Sequence, residues 1–502
     1  MTIDPRTPVI VGVGQVTQRT GDPMTSLEPI DLLADAARSA VADAGGPGLA
    51  FDTVAVVEIM SWRYPDPAAL LARRLGIAPR TSVVSSTGGN SPQMMVNRFA
   101  DAIQRGDVDA VLLGGVECMY SRRRVRKIDP TLRLAWSQPD DPACPNVWGD
   151  TRPGSTQYEM AHRALAPTQV YPLLETAIRH AAGRSITDHQ HHLGALWSEL
   201  AAVAATNPYA WSPTAYTPDE IITPTADNRM ACFPYTKRLC ANLDVDQAAA
   251  IILCSYEAAT AAGIAEDRMV FPWSGADAHD HYYLTERDSL AHSTAIGIIS
   301  DAALDAAGTE LDAIARFDLY SCFPSAVELA LESIGLAGPT GGDERPISVT
   351  GGLAYGGGPG NNYVTHSIAA MVEACRRDPG SIGSVTALGW YATKHSVGLY
   401  STTPPADGFR RVDPAITQAR VDALPSRESA GIVDASGEVE ATSVAFDRDG
   451  TPTIGIISVL LADGRRALAN SADADTLLAM CAEPWEGRTV ALRADGDTNV
   501  LA

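Results

Sequence analysis

Short apolar runs alternate with amphipathic runs along the first 120 residues of the chain. Two segments, 29–45 and 92–106, repeat apolar residues every three or four positions, as helices do, and Gly45 and Gly46 end the first. The short apolar runs have the length of buried strands and lie at 8–14, 53–60, 82–87 and 109–117. This alternation predicts an α/β fold, with a mostly parallel sheet and helices on both faces.

The same order of patterns returns in the second half of the chain. Helical periodicity recurs at 294–308 and 362–377, and strand-like runs recur at 315–323, 346–352 and 382–389. The order and the spacing follow the first half, although the residues differ. We therefore interpret the chain as an internal duplication of one α/β unit.

Two further regions depart from this pattern. Residues 121–245 are richer in Pro, Trp and His and lack the alternation, which indicates a long excursion from the first half; 248–263 then returns as a strand and a helix. A Pro-rich linker after residue 402 leads to 415–502, where strand-like runs flank Asp-Gly turns and a short helix at 473–482. This last region predicts a small β-barrel of the oligonucleotide/oligosaccharide-binding (OB) type.

The charge of the chain narrows the classes of partner. Lys and Arg total 38 and Asp and Glu total 60, a formal charge of −22, which disfavours nucleic acid and anionic membranes. The eight cysteines are scattered without zinc spacing, as in reduced cytoplasmic proteins. We see neither a signal-peptide pattern nor an apolar run of the ~20 residues that a membrane span needs, and so expect a cytoplasmic protein.

Several motifs carry a family resemblance. The glycine-rich stretch 351–360 resembles the Gly-Gly…Gly-His-Pro signature of thiolases, and 108–119 is similar to their Ala-Gly-Gly-Val-Glu-Ser-Met stretch. The runs 207–211 and 233–253 resemble sterol-carrier-type thiolases. Over residues 1–405 the chain thus resembles the thiolase superfamily, which includes the acetyl-CoA acetyltransferases, and most closely the mycobacterial thiolase-like protein type 1 group.

The resemblance implies a thiolase fold, with two duplicated βαβαβαββ halves stacked in five αβαβα layers and a loop domain. The small OB-like β-barrel predicted at the C-terminal end lies outside a standard thiolase. We expect the N-terminal half at 1–120 plus 246–271, the loop domain at 121–245, the C-terminal half at 272–405 and the additional β-domain at 415–502.

The resemblance also implies a chemistry, in which a cysteine thiolate takes an acyl group from acyl-CoA, a second cysteine moves a proton, and His and Asn hold the oxyanion. In this chain Gly89 stands at the place of the reactive cysteine, Tyr320 at that of an oxyanion-holding Asn or His, and Gly358 at that of the motif histidine. The fourth motif, near 387–390, has no cysteine. Classical thiolysis or Claisen condensation is therefore not expected, and whether the chain is an enzyme stays open.

Hydroxyl side chains surround the missing nucleophile: Ser85, Ser86, Thr87 and Ser91. A serine nucleophile needs an adjacent base, and none is evident in the sequence. The alternative that we favour is capping of the helix that begins near Pro92.

The sequence leaves two possible roles open for each of Tyr320 and Cys322. The Tyr320 hydroxyl could hold an oxyanion or move a proton. In that respect the chain is similar to thiolase-like retro-aldolases of steroid side-chain degradation, which use tyrosines and an OB-domain partner. The alternative is a core tyrosine. Cys322 is a reactive thiol or a small buried apolar residue.

The remaining candidates for catalysis or ligand binding are His366, Lys394, His395, Tyr355, Asn361 and Asn362. Lys394 and His395 form an electrophile and base pair or, alternatively, part of a surface turn. Asn361 and Asn362 begin a helix whose N-terminus favours an anion.

Clustered charges and histidines mark the excursion. Arg122, Arg123 and Arg124 could hold the phosphates of CoA, or lie in a solvated loop that pairs with local acids. His189 and His192 are three residues apart, as metal ligands on a helix can be, but no partner is identifiable in the sequence. We interpret them as a solvent-facing helix start and predict no metal.

Two hypotheses follow. The first is a protein of acyl-CoA and lipid metabolism that binds a CoA thioester as substrate, without a covalent cofactor, as a monomer or a homodimer. The second is a catalytically inert module that docks a protein partner through the excursion or the C-terminal β-domain. Affinity for CoA distinguishes them.

Overall fold

Each half of the chain builds its own β-sheet in the computed structural model, which describes residues 3–502. The strands, in chain order, are β1 (Pro8–Thr17), β2 (Thr53–Val56), β3 (Thr81–Ser85), β4 (Ala110–Cys118), β5 (Val147–Trp148), β6 (Met230–Phe233), β7 (Tyr235–Thr236), β8 (Asp246–Ser255), β9 (Phe271–His279), β10 (Ile314–Asp318), β11 (Ile382–Gly389), β12 (Lys394–Ser401), β13 (Arg410–Arg411), β14 (Ala435–Phe446), β15 (Pro452–Leu461), β16 (Arg466–Ser471), β17 (Thr489–Asp495) and β18 (Thr498–Leu501).

The α-helices, in chain order, are α1 (Pro29–Asp43), α2 (Pro67–Leu75), α3 (Ser91–Arg105), α4 (Met119–Ile128), α5 (Gln157–Ala161), α6 (Pro167–Ala181), α7 (Ile186–Thr206), α8 (Pro218–Ile222), α9 (Tyr256–Ala261), α10 (Thr294–Ala307), α11 (Pro324–Ile334), α12 (Tyr363–Arg377), α13 (Pro414–Asp422) and α14 (Ala474–Ala482). Single turns of 3₁₀ helix lie at Pro23–Thr25, Lys237–Leu239, Glu266–Arg268, Leu284–Glu286, Leu311–Ala313, Pro339–Gly341 and Gly360–Asn362, and a π turn lies at Gly352–Gly356.

The two sheets stack with helices between them and outside them. The first has the strand order β1-β8-β4-β2-β3-β5, and the second β10-β11-β12-β9-β13. Helices α3 and α12 lie between the sheets and touch strands of both, whereas α1 and α2 cover the outer face of the first and α10 that of the second. Strands covered on both faces must be apolar throughout, which is why β4 and β8 are buried along their whole length.

The predicted alternation of strand and helix is found in both halves, but each sheet is mixed rather than mostly parallel, because β8 and β12 pair antiparallel with both of their neighbours. Residues 346–352 do not form a strand. The carbonyls of Pro346 and Ile347 still accept hydrogen bonds from strand β10 and its end, but the chain then turns around the buried carboxylate of Asp318. That carboxylate takes the backbone N–H groups of Val349 and Thr350, so they cannot join a ladder.

Two predicted strands also end early. The strand expected at 53–60 stops at Val56, and the one expected at 315–323 stops at Asp318. In each case the following backbone bonds to side chains: the amide of Glu58 donates to Ser85 and that of Tyr320 to Thr386.

The excursion is mainly helical. Helices α6 and α7 pack onto the second half, with Trp197 fully buried. The hairpin β6–β7 reaches further, because Cys232 and Phe233 pair with Ala445 and Val444 of β14 and so extend the C-terminal sheet.

The C-terminal region is a closed five-stranded barrel, which confirms the predicted β-barrel. Its strands follow one another in the order β15-β16-β18-β17-β14, and β14 pairs with β15 to close the ring. Val439, Ile457, Val459 and Leu477 fill its core, the last from α14. None of the helices within residues 3–502 combines the length and the apolar character needed to cross a membrane.

Candidate functional site

The position that resembles the thiolase nucleophile is closed by a tyrosine. Gly89 lies in the turn between β3 and α3, and Tyr320 lies just after β10 on the other half of the chain. A β-carbon on Gly89 would collide with the hydroxyl of Tyr320 and with the carbonyl oxygen of Leu388. No cysteine side chain fits at residue 89 while Tyr320 and Leu388 keep these positions.

Burial also keeps Tyr320 and Cys322 protonated. Desolvation raises the pKa of Tyr320 far above its ordinary value and raises that of Cys322 to about 12. The Tyr320 ring packs edge-on against Tyr363, with 5.5 Å between centroids. This environment fits the core alternatives for both residues, because a thiolate or phenolate is disfavoured there.

The backbone is tightly packed at Gly358, the position that resembles the histidine of the thiolase motif. A β-carbon on Gly358 would lie 3.1 Å from the carbonyl oxygen of Asn242, so a larger residue requires that backbone to move. The Tyr355 hydroxyl is buried without a hydrogen-bond partner among residues 3–502, and its ring faces Tyr216 at 5.7 Å. Desolvation raises the pKa of Tyr355 well above its usual range.

The two asparagines after this stretch hold the chain together. Asn361 accepts a hydrogen bond from the backbone N–H of Gly88 at 2.9 Å and donates to the carbonyl of Glu58 at 3.0 Å. It thereby fixes the turn before α3 from the opposite half. Asn362 is buried against Gly115, and neither atom of its amide finds a partner in the described part of the chain.

The serine and asparagine side chains near α3 do not cap it as predicted. Asn90 occupies the N-cap position, yet its side chain makes no capping hydrogen bond. The Ser91 hydroxyl instead donates to the carbonyl of Ser86, and Ser85 accepts from the amide of Glu58. These contacts hold the turn rather than the helix terminus.

Lys394 and His395 do not form a surface turn, since both are buried at the start of β12. Lys394 Nζ donates to the carbonyls of Thr87 at 2.5 Å and Asp150 at 3.2 Å. Desolvation lowers the pKa of Lys394 to about 8. His395 Nε2 lies 3.4 Å from a carboxylate oxygen of Asp280. The pair therefore faces different partners.

His366 lies apart from these residues. Its Nδ1 is 2.8 Å from Oε1 of Gln15, and burial lowers its pKa to about 3. Four of the predicted site residues lie around the turn before α3: Gly89, Tyr320, Asn361 and Lys394. The other three contact different residues: His366 contacts Gln15, Tyr355 contacts Tyr216, and Gly358 lies against Asn242.

The arginine cluster is a helix, α4, and not a loop. Arg122 donates to the carbonyl of Ser61, Arg124 to the carbonyls of Thr20 and Gly21, and Arg123 pairs with Asp244. The nearby acids expected as partners are not used.

His189 is not at a solvent-facing helix start, because the fold buries it completely. Its Nε2 lies 2.6 Å from Glu175, and His192 lies 3.0 Å from Glu328. Glu175, His189 and Glu328 present three potential metal-ligand atoms within 4.8 Å of one another. Arg184 can only donate to Nδ1 of His189, at 3.3 Å, so Nε2 carries the ring hydrogen and donates to Glu175. A metal on Nε2 would displace that hydrogen.

The sequence could not reveal these carboxylate partners, because Glu175 and Glu328 come from α6 and α11. Nothing in their local sequence distinguishes them from exposed helix residues. The three-residue spacing of the two histidines was the one available signal.

Solved structures define the class of fold. The chain is similar to the human mitochondrial 3-ketoacyl-CoA thiolase in complex with CoA, at 16% identity and a TM-score of 0.56 over 79% of this chain and 98% of that one. It is similar to the Ltp2-ChsH2 (DUF35) aldolase at 18% identity and a TM-score of 0.57, over 78% and 98%. These likenesses, together with the two stacked halves, confirm the thiolase fold.

A third structure is much more similar. The monomeric SCP2-thiolase-like protein type 1 from Mycobacterium smegmatis is 33% identical, with a TM-score of 0.84 over the full length of both chains. Residues 417–497 match the family described as the thiolase-like protein type 1 additional C-terminal domain. The chain therefore belongs to the thiolase-like protein type 1 family, as the sequence predicted. Among curated proteins, none matches it.

Proposed function

We propose that this protein binds an acyl-CoA-like thioester without carrying out thiolase acyl transfer. The observation that carries the second part is the closed turn before α3, where the hydroxyl of Tyr320 fills the space beside Gly89. Acyl transfer needs an activated nucleophile within reach of the thioester carbonyl. Gly89 supplies none, and the Tyr320 hydroxyl leaves no space for a nucleophilic side chain at that position.

The retro-aldolase alternative has less support. It needs the Tyr320 hydroxyl to meet a β-hydroxyacyl substrate and to give up its proton, whereas burial of the Tyr320 side chain raises its pKa. The aldolase relative supports that alternative only through a fold shared at 18% identity.

Helix α4 supports the binding of a polyanionic ligand. Arg122 and Arg126 are four residues apart on this helix, and Arg126 and Lys127 are exposed with no carboxylate partner among residues 3–502. Because the rest of the protein is strongly acidic, this cationic helix is the natural contact for CoA phosphates. We propose CoA thioester as ligand or substrate and no covalently held cofactor.

The assembly state that we propose is a monomer, like the relative from Mycobacterium smegmatis. The two-residue strands β5 and β13 each occupy one edge of a sheet, which limits pairing with a second copy at those edges. Docking of a protein partner on the C-terminal barrel remains the alternative function.

Calorimetric titration with acetyl-CoA and a longer acyl-CoA tests this proposal. We expect saturable binding that weakens with added salt and falls about tenfold in the double variant Arg126→Gln, Lys127→Gln. The matched control, Arg38→Gln with Arg377→Gln, removes two positive charges elsewhere and should bind as the wild type does. Absence of saturation, or equal weakening in both double variants, would reject the proposal in favour of the docking alternative.

A further inference from the structure

A second cleft lies where the thiolase-like core meets the linker to the C-terminal barrel. Its volume is about 580 Å³, within the range of small-molecule sites. One wall is α3, another is formed by the end of β9 and the start of β12, and the third is α13 of the linker. The cleft therefore exists only because the chain continues beyond the two α/β halves.

An arginine without a counter-ion faces this cleft. The Arg98 guanidinium lies over the Trp148 ring, 3.9 Å from its centroid, and makes no hydrogen bond or ion pair with any residue from 3 to 502. Its side chain is partly buried; desolvation and the nearby Arg411 lower its pKa, against an opposing effect of the Asp277 carboxylate. A partly desolvated cation beside a second cation is costly unless an anion joins them.

Arg411 is the second cation. Its Nη2 is 3.3 Å from Oδ2 of Asp277, and its Nε is buried without a partner within the described residues. The Oδ1 atom of the same aspartate accepts from Asn97, so this carboxylate is shared and leaves part of the Arg411 guanidinium free.

The other charged groups of the cleft are already engaged. Asp150 pairs with Arg152, and Lys394 donates to two backbone carbonyls. His279 contacts Arg152 and the carbonyl of Asp280, and His395 faces the carboxylate of Asp280. Within residues 3–502, these contacts leave Arg98 without an ion pair and the Nε of Arg411 without a partner.

We propose that this cleft binds a small ligand with a carboxylate or phosphate group, held between the guanidinium groups of Arg98 and Arg411. Guanidinium forks match both oxyanions in geometry and charge. The side chains of Met94 and Pro414, which also line the cleft, offer apolar surface to the remainder of the ligand. This site is separate from α4 and does not depend on the proposed binding of CoA.

Calorimetric titrations of the full chain with inorganic phosphate and with acetoacetate, at constant ionic strength set with chloride, test the proposal. We expect saturable binding of at least one probe, and the probe that saturates shows which oxyanion the site prefers. Arg98→Gln should weaken that binding about tenfold, since one charge-assisted fork is lost. Arg98→Lys, which keeps the charge but not the fork, should weaken it less.

Two neighbouring arginines serve as controls. Arg105→Gln lies on the same helix, where its side chain pairs with Asp101 and Asp107, and Arg410→Gln lies beside Arg411. Both should bind the probe as the wild type does. The proposal is overturned if neither probe saturates, or if the controls lose as much affinity as Arg98→Gln. Arg98 contributes no hydrogen bond to the fold. If Arg98→Gln binds the probe more weakly but keeps the melting temperature of the wild type, misfolding does not explain the weaker binding.

Discussion

At the scale of single residues, the closed site rests on one contact between the two halves of the chain. Gly89 has no side chain, and the Tyr320 hydroxyl occupies the space that a side chain would need. The change at the nucleophile position and the change at the oxyanion position are therefore physically linked. Restoring a cysteine at residue 89 alone would not restore a thiolase site.

Substituting Gly89 tests this contact. Gly89→Ala should lower the free energy of unfolding by about 2 kcal/mol, because its methyl group meets both the Tyr320 hydroxyl and the Leu388 carbonyl. Gly21→Ala, whose methyl group would enter open space, should change stability little. Urea unfolding measures both. In the Tyr320→Ala background, Gly89→Ala should lower the free energy of unfolding by less than it does in the wild type. Strictly additive losses would show that the two residues do not touch.

The burial of Lys394 should make the free energy of unfolding depend on pH. Its pKa is about 8 in the folded protein against 10.5 unperturbed, so between these values the unfolded chain holds more protons and stability rises with pH. Below pH 8 the burial penalty is fully present. From pH 7 to 10.5 the wild type should gain about 3 kcal/mol relative to Lys394→Met. Lys237→Met removes an exposed amine as control, and a wild type that runs parallel to Lys394→Met would contradict this.

At the scale of elements, the buried carboxylate of Asp318 determines where a strand ends. It accepts hydrogen bonds from side chains and backbone of 348–350 and from Tyr363 and Ser367. All these partners donate, so Asp318→Asn places an amide group among donors. We expect a loss of about 3 kcal/mol in the free energy of unfolding. The exposed Asp312→Asn should change it little; equal effects would mean that the network is not needed.

The sequence predicts most elements because each kind has its own local pattern. Strands covered on both faces are short, continuous apolar runs, and amphipathic helices repeat apolar residues every three or four positions. It fails at 346–352, where the residues are those of a strand but a carboxylate from β10 captures the backbone. It fails at His189 because its partners come from distant helices. Arg98 and Arg411 are far apart in the sequence and only the fold brings them to one cleft, so their spacing along the chain gives no signal of a site.

At the scale of the whole molecule, the C-terminal barrel is bound tightly to the core. Arg466 is completely buried, pairs with Glu440 inside the barrel, and donates to the carbonyls of Leu284 and Arg287 in the core. The hairpin β6–β7 adds a second connection through β14. The strand-like runs and Asp-Gly turns of 415–502 predict the barrel, whereas only the structure shows that it shares a sheet with the excursion.

Breaking this connection should destabilise the protein as a whole. Arg466→Leu leaves Glu440 and the two carbonyls without their partner, and we expect a loss of about 3–5 kcal/mol in one cooperative transition. Arg465→Leu, the neighbour whose exposed ion pair with Asp463 is local, should leave the unfolding curve nearly unchanged. Wild-type stability of Arg466→Leu, or a separate unfolding transition for the barrel, would contradict this prediction.

The claim that the thiolase site is closed is tested most directly by following thiolysis of acetoacetyl-CoA by CoA through the loss of its enolate absorbance. We expect the purified protein to consume no substrate above the buffer rate, because the turn before α3 carries no nucleophile and the Tyr320 hydroxyl occupies the space that one would need. Turnover that rises with protein concentration, and that Tyr320→Phe abolishes, would contradict a closed site and would show that Tyr320 takes part in catalysis.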